Sequence, residues 1–159
     1  MVRVLGNHCQ GRIERFINEN PELEGSISVD QLGYSEFGGQ IVKFRDVEII
    51  DGIAYSHYFY DKDSRYPIIS ARTVLQRKLH SSIWGHSHLR DMAEGVSSAG
   101  KRIIALNVGC YLDPEQNLHY AGGQGNVRWW RGLTLSTNVK NGEFEPKFFG
   151  IEEIQKKYS

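Results

Sequence analysis

Short apolar segments typical of β-strands alternate along the chain with two amphipathic segments typical of α-helices. Residues 2–5 form a β-branched run that Gly6 closes, and residues 81–88 and 101–112 contain two further apolar runs. Strands and helices of this kind bury their apolar faces by packing on one another in layers. The sequence therefore predicts an α/β fold of the layered α+β type rather than an all-β sandwich or a helix bundle.

Apolar residues at helical spacing predict two helices, one that ends before Pro21 and one that begins at Ser70, a residue type that caps helices. Their spaced apolar positions are Ile13, Phe16 and Ile17 in the first helix, and Ala71, Leu75 and Leu79 in the second.

Alternating apolar and polar residues predict two hairpins. The first spans residues 41–59 around Asp51-Gly52, and the second spans residues 132–150 around Asn141-Gly142. The segments 81–88 and 101–112 are predicted to be strands joined by a loop that carries functional residues.

The length of 159 residues suits a single domain, which we predict over residues 1–159. Basic and acidic residues balance at 19 each, so no net charge indicates nucleic acid or an anionic membrane as a partner. No apolar run is long enough to cross a bilayer, and residues 1–20 lack the layout of a signal peptide. Cys9 and Cys110 form no disulfide framework, so a reducing, cytoplasmic location is predicted.

Histidines follow several of the predicted strands. In Gly85-His86-Ser87-His88 two imidazoles stand at i and i+2, which places both on one side of an extended backbone and suits a zinc, manganese, iron or nickel site. Two surface histidines in a loop are the alternative. His57 also ends a predicted strand, where a buried histidine of structural role is the more ordinary interpretation, and Asn7-His8 after Gly6 fits an ordinary turn.

These histidine motifs follow one another along the chain in a particular order. Gly-Asn-His, a single histidine at a strand end and then Gly-His-x-His resemble the second half of the signature of the calcineurin-like metallophosphoesterases. The segment "GNHCQGRIERFINENPEL" resembles the stretch that follows Gly-Asn-His in this family. The segments "NVGCYLDPE" and "WWRGLTLSTNVKNGEFEP" are similar to the terminal region of the small phosphoesterases common in phages. The resemblance covers nearly the whole chain.

The resemblance implies a β-sandwich flanked by helices, with the site on loops at strand ends. It implies that Asn7, His57 and His86 hold one metal of a binuclear centre, that His88 reaches the other, and that His8 protonates the leaving group. Manganese, zinc, nickel or iron would serve in hydrolysis of a phosphomonoester or phosphodiester, with a nucleotide or nucleic acid as candidate substrates. A phage origin would place the protein in the host cytoplasm.

The sequence also departs from the family. It contains no Asp-x-His and no Gly-Asp pair, the motifs that precede Gly-Asn-His in the family and supply most ligands of the first metal. We therefore expect an N-terminally incomplete domain that corresponds to the C-terminal portion of the fold and binds at most one ion weakly. Hydrolysis would need an upstream segment or a partner chain, and we expect a homo-oligomer or a complementing partner. Cys9 stands where the family has Asp or Glu to orient His8.

Two alternatives stay open. The chain is either such an enzyme or a truncated, inactive module that binds or supports other molecules. Arg128 and Trp130 are weak candidates for substrate contacts, although a core tryptophan with flanking arginines explains them as well. Asp61 and Asp63 are either metal-binding carboxylates or part of a solvated loop.

Overall fold

A computed structural model of the protein describes residues 1–61, 64, 66–113 and 127–158. Its centre is a five-stranded sheet with the spatial order β3-β4-β7-β9-β8, where the strands are β3 (Glu48–Ile50), β4 (Ile53–Ser56), β7 (Ser82–Trp84), β9 (Arg102–Val108) and β8 (Arg90–Val96). The inner strands β4, β7 and β9 are parallel, and each outer strand is antiparallel to its neighbour. The carboxyl ends of β4, β7 and β9 therefore meet at one edge of the sheet.

Three smaller sheets and three α-helices complete the described part of the chain. The smaller sheets are β1 (Val2–Val4) parallel to β2 (Gln40–Val42), β5 (Phe59–Tyr60) antiparallel to β6 (Pro67–Ile68), and β10 (Gly132–Lys140) antiparallel to β11 (Glu143–Gly150). The helices are α1 (Arg12–Glu19), α2 (Ala71–Lys78) and α3 (Ile151–Tyr158). The predicted α/β class with α+β layering is confirmed at this level.

The central sheet has an apolar cluster on each face because β9 alternates its side chains between them. Ile103 and Ala105 belong to the cluster that contains α2, whereas Ile104 and Leu106 belong to the cluster that contains Phe144 of β11. The hairpin β10-β11 therefore packs on one face of the sheet and α2 on the other, which gives three layers.

Both predicted helices are present, with corrections to their packing. The first helix ends before Pro21, but none of its residues is buried, and Phe16 is exposed. In the second helix Val74 is buried, whereas Leu79 lies beyond the last turn and is exposed. The Ser70 hydroxyl makes no capping hydrogen bond.

Both predicted turns close hairpins, β3-β4 at Asp51-Gly52 and β10-β11 at Asn141-Gly142. All four turn residues have positive φ, which explains the Asp-Gly and Asn-Gly pairs. The first hairpin is shorter than predicted because residues 40–42 form β2, which pairs with β1.

The prediction of a loop after residue 88 was wrong in part, because this segment contains strand β8. This strand lies at the edge of the sheet and carries Arg90, Asp91, Glu94 and Gly95, so it lacked the apolar signal of a buried strand. No helix among the described residues is long and apolar enough to span a membrane.

Candidate metal-binding site

Three sequence-predicted residues meet where strands end. Asn7 follows β1 after two residues, His57 directly follows β4, and His86 follows β7 after one glycine. Because β4 and β7 are adjacent and parallel, their ends bring His57 and His86 side by side.

One ring nitrogen is the common neighbour in this group. His57 Nε2 lies 2.7 Å from Asn7 Oδ1 and 3.1 Å from His86 Nδ1. The amide oxygen can only accept, so His57 Nε2 is the donor of the bond to Asn7, and the roles in its contact with His86 Nδ1 follow from the tautomers of the two rings. Three polar atoms from distant parts of the sequence thus converge on one point.

Gly6 determines where the His57 ring lies. A Cβ atom at this position would be 2.8 Å from His57 Cε1 and 3.0 Å from Nδ1. The φ of Gly6 is −108°, a value open to any residue, so the site needs glycine here for space and not for backbone freedom. The glycine of Gly-Asn-His therefore packs directly against the His57 imidazole.

The two histidines of Gly-His-x-His contact different rings, His86 that of His57 and His88 that of Trp129. The extended backbone predicted there is wrong, since His86 and His88 adopt left-handed conformations with φ of 67° and 61°. Ser87 between them accepts a 2.5 Å hydrogen bond on Oγ from Nδ2 of the fully buried Asn107 at the end of β9. The neighbouring strand therefore anchors this turn, a role that sequence reasoning missed.

Burial is the largest cause of the lowered pKa values of His57, His86 and His88. It lowers the pKa of His57 to about 4, with smaller contributions from the charges of His86, His8 and His88. The pKa of His86 is lowered by burial and then by His88 and His8, and that of His88 by burial, His8 and Arg131. These three imidazoles are consequently neutral near pH 7 and keep lone pairs for a cation.

His8 occupies an exposed position on the π-helical turn Asn7–Gly11. Its charge disfavours protonation of His57, His86 and His88 alike, so it lies near all three imidazoles. The neighbouring Cys9 Sγ accepts a 3.4 Å hydrogen bond from the Tyr34 hydroxyl.

The surroundings of His88 come from the tryptophan segment. The ring of Trp129 meets the His88 ring edge-on at 4.3 Å between centroids, and the Trp130 N–H donates to the His88 carbonyl at 2.9 Å. The Trp130 ring packs on Phe148 instead, and Arg128 is exposed. Trp129 is therefore the tryptophan whose ring touches the site, although Trp130 and Arg128 were the residues predicted.

Of the two carboxylates proposed from the 61–63 segment, the structure describes Asp61. Asp61 forms an ion pair with Arg77, and Asp63 lies outside the described residues.

Aromatic side chains form a wall beside the imidazoles. Tyr58 packs on the His86 ring at 4.7 Å and on the His57 ring at 5.4 Å, and Phe44 meets the His57 ring at 5.9 Å. Burial and a hydrogen bond with Tyr60 raise the pKa of Tyr58 to about 12. The run "HYFY" at residues 57–60 was the sequence signal for this wall.

Among the described residues, no group of three or more His, Cys, Asp or Glu side chains is arranged to hold a metal ion. The convergent group has two imidazoles, and its third member is the amide of Asn7. Comparison of the chain with protein-family models, curated proteins and solved structures gives no match.

Proposed function

We propose that the chain carries part of a metal-dependent phosphoesterase centre of the calcineurin-like type, within the corresponding β-sandwich fold. The substrate would be a phosphomonoester or phosphodiester, with nucleotides and nucleic acids as candidates. The observation that supports this most is the convergence of Asn7 Oδ1, His57 Nε2 and His86 Nδ1 from three strand ends. The hairpin β10-β11 stacked on the central sheet is in keeping with a sandwich.

The spacing and chemistry of these atoms suit a divalent transition ion. Neighbouring ligands around an ion with bonds of about 2.1 Å lie roughly 3 Å apart, close to the 2.7 and 3.1 Å separations at His57 Nε2. Neutral imidazoles and an amide oxygen suit manganese, zinc, nickel or iron. In the metal-free protein a proton joins His57 to Asn7, and an ion would take its place.

A bound divalent ion would supply Lewis-acid chemistry, which offsets phosphoryl charge and acidifies water. His8 lies near the imidazoles at an exposed position, so it is suited to donate a proton to the leaving oxygen of a phosphoester. His88 has its ring fixed by Trp129 and is the candidate ligand for a second ion.

The sequence offers no Asp-x-His and no Gly-Asp motif for that second ion. We therefore propose that the chain holds at most about one ion, weakly, and that a partner chain, a second copy or a further segment supplies the missing carboxylates. A single ion gives only part of the charge stabilisation of a two-metal centre, so turnover by the chain alone should be at least about a thousandfold below that of a complete centre.

The second candidate function is an inactive binding or structural module of the same ancestry. It is favoured by the absence of a three-residue His, Cys, Asp or Glu group among the described residues. Such a module would keep Asn7, His57 and His86 as a hydrogen-bonded cluster that joins three strand ends.

Metal titration by calorimetry and elemental analysis separates the two candidates. We expect Mn²⁺ or Zn²⁺ to bind with no more than about one ion per chain, and binding to be lost in His57→Ala and His86→Ala. His80→Ala is the matched control, since His80 lies before β7 and its carbonyl only accepts a hydrogen bond from Ser82. Two tightly held ions per monomer would contradict the single-site proposal.

Hydrolysis of a chromogenic phosphodiester with added Mn²⁺ then tests the activity. We expect weak turnover that His8→Ala and His86→Ala abolish and His80→Ala retains. A folded protein that binds no metal and shows no metal-dependent turnover would establish the binding module instead.

A further inference from the structure

Arg45 stands beside the imidazole group in an unusual setting. Its guanidinium carbon lies 5.4 Å from the centroid of the Phe44 ring and 5.5 Å from that of the Tyr60 ring. The Tyr60 hydroxyl hydrogen-bonds the Tyr58 hydroxyl, which joins this pair of rings to Tyr58. Two aromatic rings thus hold one cation in a defined place, although the residue itself is exposed.

The residues that hold Arg45 are themselves fixed. The Phe44 N–H donates to Oε1 of the buried Gln10 at 2.7 Å. The Phe44 ring packs so closely on Gly11 that a Cβ there would be 2.8 Å from Phe44 Cε1. Tyr60 is tied through its backbone, which pairs with Pro67 and accepts a hydrogen bond from Lys78 Nζ.

The backbone of Arg45 points to a role other than stability. Its φ is 79°, in the left-handed region that glycine adopts freely and an arginine adopts only at a cost. A loop selected for stability alone would favour glycine here. The arginine side chain is therefore the part of this residue that needs an explanation.

The charge of Arg45 has no acidic partner among the described residues, whose ion pairs involve Arg15, Arg77 and Arg102. Phe44, over which Arg45 lies, also packs on the His57 ring. Tyr58, which bonds Tyr60, packs on both His57 and His86. An oriented cation beside a candidate metal site is suited to receive an anion that spans both.

We propose that Arg45 binds and orients the phosphoryl oxygens of the substrate at this site, an inference that rests on the proposed phosphoesterase function. The planar guanidinium offers paired N–H donors that match two oxygens of a phosphoryl group, and the flanking rings restrict its orientation. Arg45 is thus a binding and positioning residue, and the chemistry stays with the histidines.

Inorganic phosphate is the probe for this assignment, and Arg45→Gly is the decisive variant because glycine suits the left-handed backbone. We expect Arg45→Gly to melt at or above the temperature of the wild type while its Kd for phosphate, measured by calorimetry at fixed ionic strength, rises about tenfold or more. Arg45→Lys should weaken phosphate binding several-fold, because it keeps the charge and loses the paired donors. The Nε–H resonance of Arg45 should shift saturably with phosphate and not with chloride.

Two controls match these variants. Arg72→Ala removes an exposed arginine of α2, and Arg3→Lys alters an arginine that lies over the rings of Tyr34 and Phe37. Both should bind phosphate as the wild type does.

The outcomes separate this inference from the function on which it rests. With a phosphodiester substrate, Arg45→Gly should raise KM much more than it lowers kcat. An unchanged phosphate Kd in Arg45→Gly would overturn the assignment even if hydrolysis is observed. Loss of phosphate binding in that variant without any hydrolysis in the wild type would support the anion site and refute the phosphoesterase activity.

Discussion

Gly6 is a single residue on which the position of the His57 imidazole depends. In Gly6→Ala the new Cβ would meet the ring at 2.8 Å, so the ring must shift from the position in which it contacts Asn7 and His86. Displacement of a ligand by its supporting residue typically costs about 10–100-fold in metal affinity, and we expect a loss of that size for Zn²⁺ measured by calorimetry. Gly150→Ala is the control, because a Cβ at Gly150 meets no described atom within 4 Å. Equal Zn²⁺ affinity in the two variants would contradict this view of the site.

The neutral state of His57 predicts how the stability of the metal-free protein depends on pH. Its pKa is about 4 in the folded protein and 6.5 in an unperturbed, unfolded chain. Between these pH values the unfolded chain therefore binds more protons than the folded protein does. Stability should therefore fall as the pH decreases from about 6.5 to about 4. The expected loss is about 1–2 kcal/mol, less than the full shift implies because solvent screens the partly buried ring. Urea unfolding in the presence of a chelator measures it, and His57→Gln should flatten this part of the profile.

Sequence reasoning identified the residues of the convergent group but not their support. Asn7, His57 and His86 were found because strand ends and motif order are visible in a sequence. The roles of Gly6 and Asn107 depend on contacts with residues distant along the chain, which no local pattern records. The tryptophan neighbours show the same limit, since the choice between Trp129 and Trp130 depends on which way each ring points.

At the scale of the elements, α2 is capped by a neighbouring strand and not by its own first residue. Asp91 Oδ2 of β8 accepts a 2.7 Å hydrogen bond from the Ala71 N–H, whereas the Ser70 side chain makes no capping bond. We expect Asp91→Ala to lower the free energy of unfolding by about 1 kcal/mol, the usual size of a lost cap. Ser70→Ala should change it by less than about 0.5 kcal/mol. Chemical denaturation of both variants checks the difference, and a larger effect of Ser70→Ala would reverse the assignment.

Elements with strong local signals were predicted well, and elements defined by pairing were not. The two hairpins follow from Asp-Gly and Asn-Gly turns flanked by alternation, which are local features. Strand β2 was misplaced because its partner, β1, lies more than thirty residues away. The same reasoning explains β8, whose polar edge position only the assembled sheet reveals.

At the scale of the whole molecule, Phe144 joins the hairpin layer to the central sheet. Its side chain is 1 % exposed and packs with Ile104 and Leu106 of β9. Phe144→Ala should lower the free energy of unfolding by about 3–5 kcal/mol, through lost burial and the cavity that remains. Phe37→Ala is the matched control at 71 % exposure and should change it by less than about 0.5 kcal/mol. A small effect of Phe144→Ala, measured by urea unfolding, would mean that the hairpin layer is not an integral part of the core.

The left-handed backbone of His86 and His88 has a consequence for how this chain can change over time. Each of these histidines has a backbone conformation that costs an L-residue about 1–3 kcal/mol. Substitution by glycine at either position would relieve that cost. Substitution towards greater stability at either position would then remove an imidazole nitrogen. The proposed site and the stability of this turn therefore make opposite demands on residues 86 and 88.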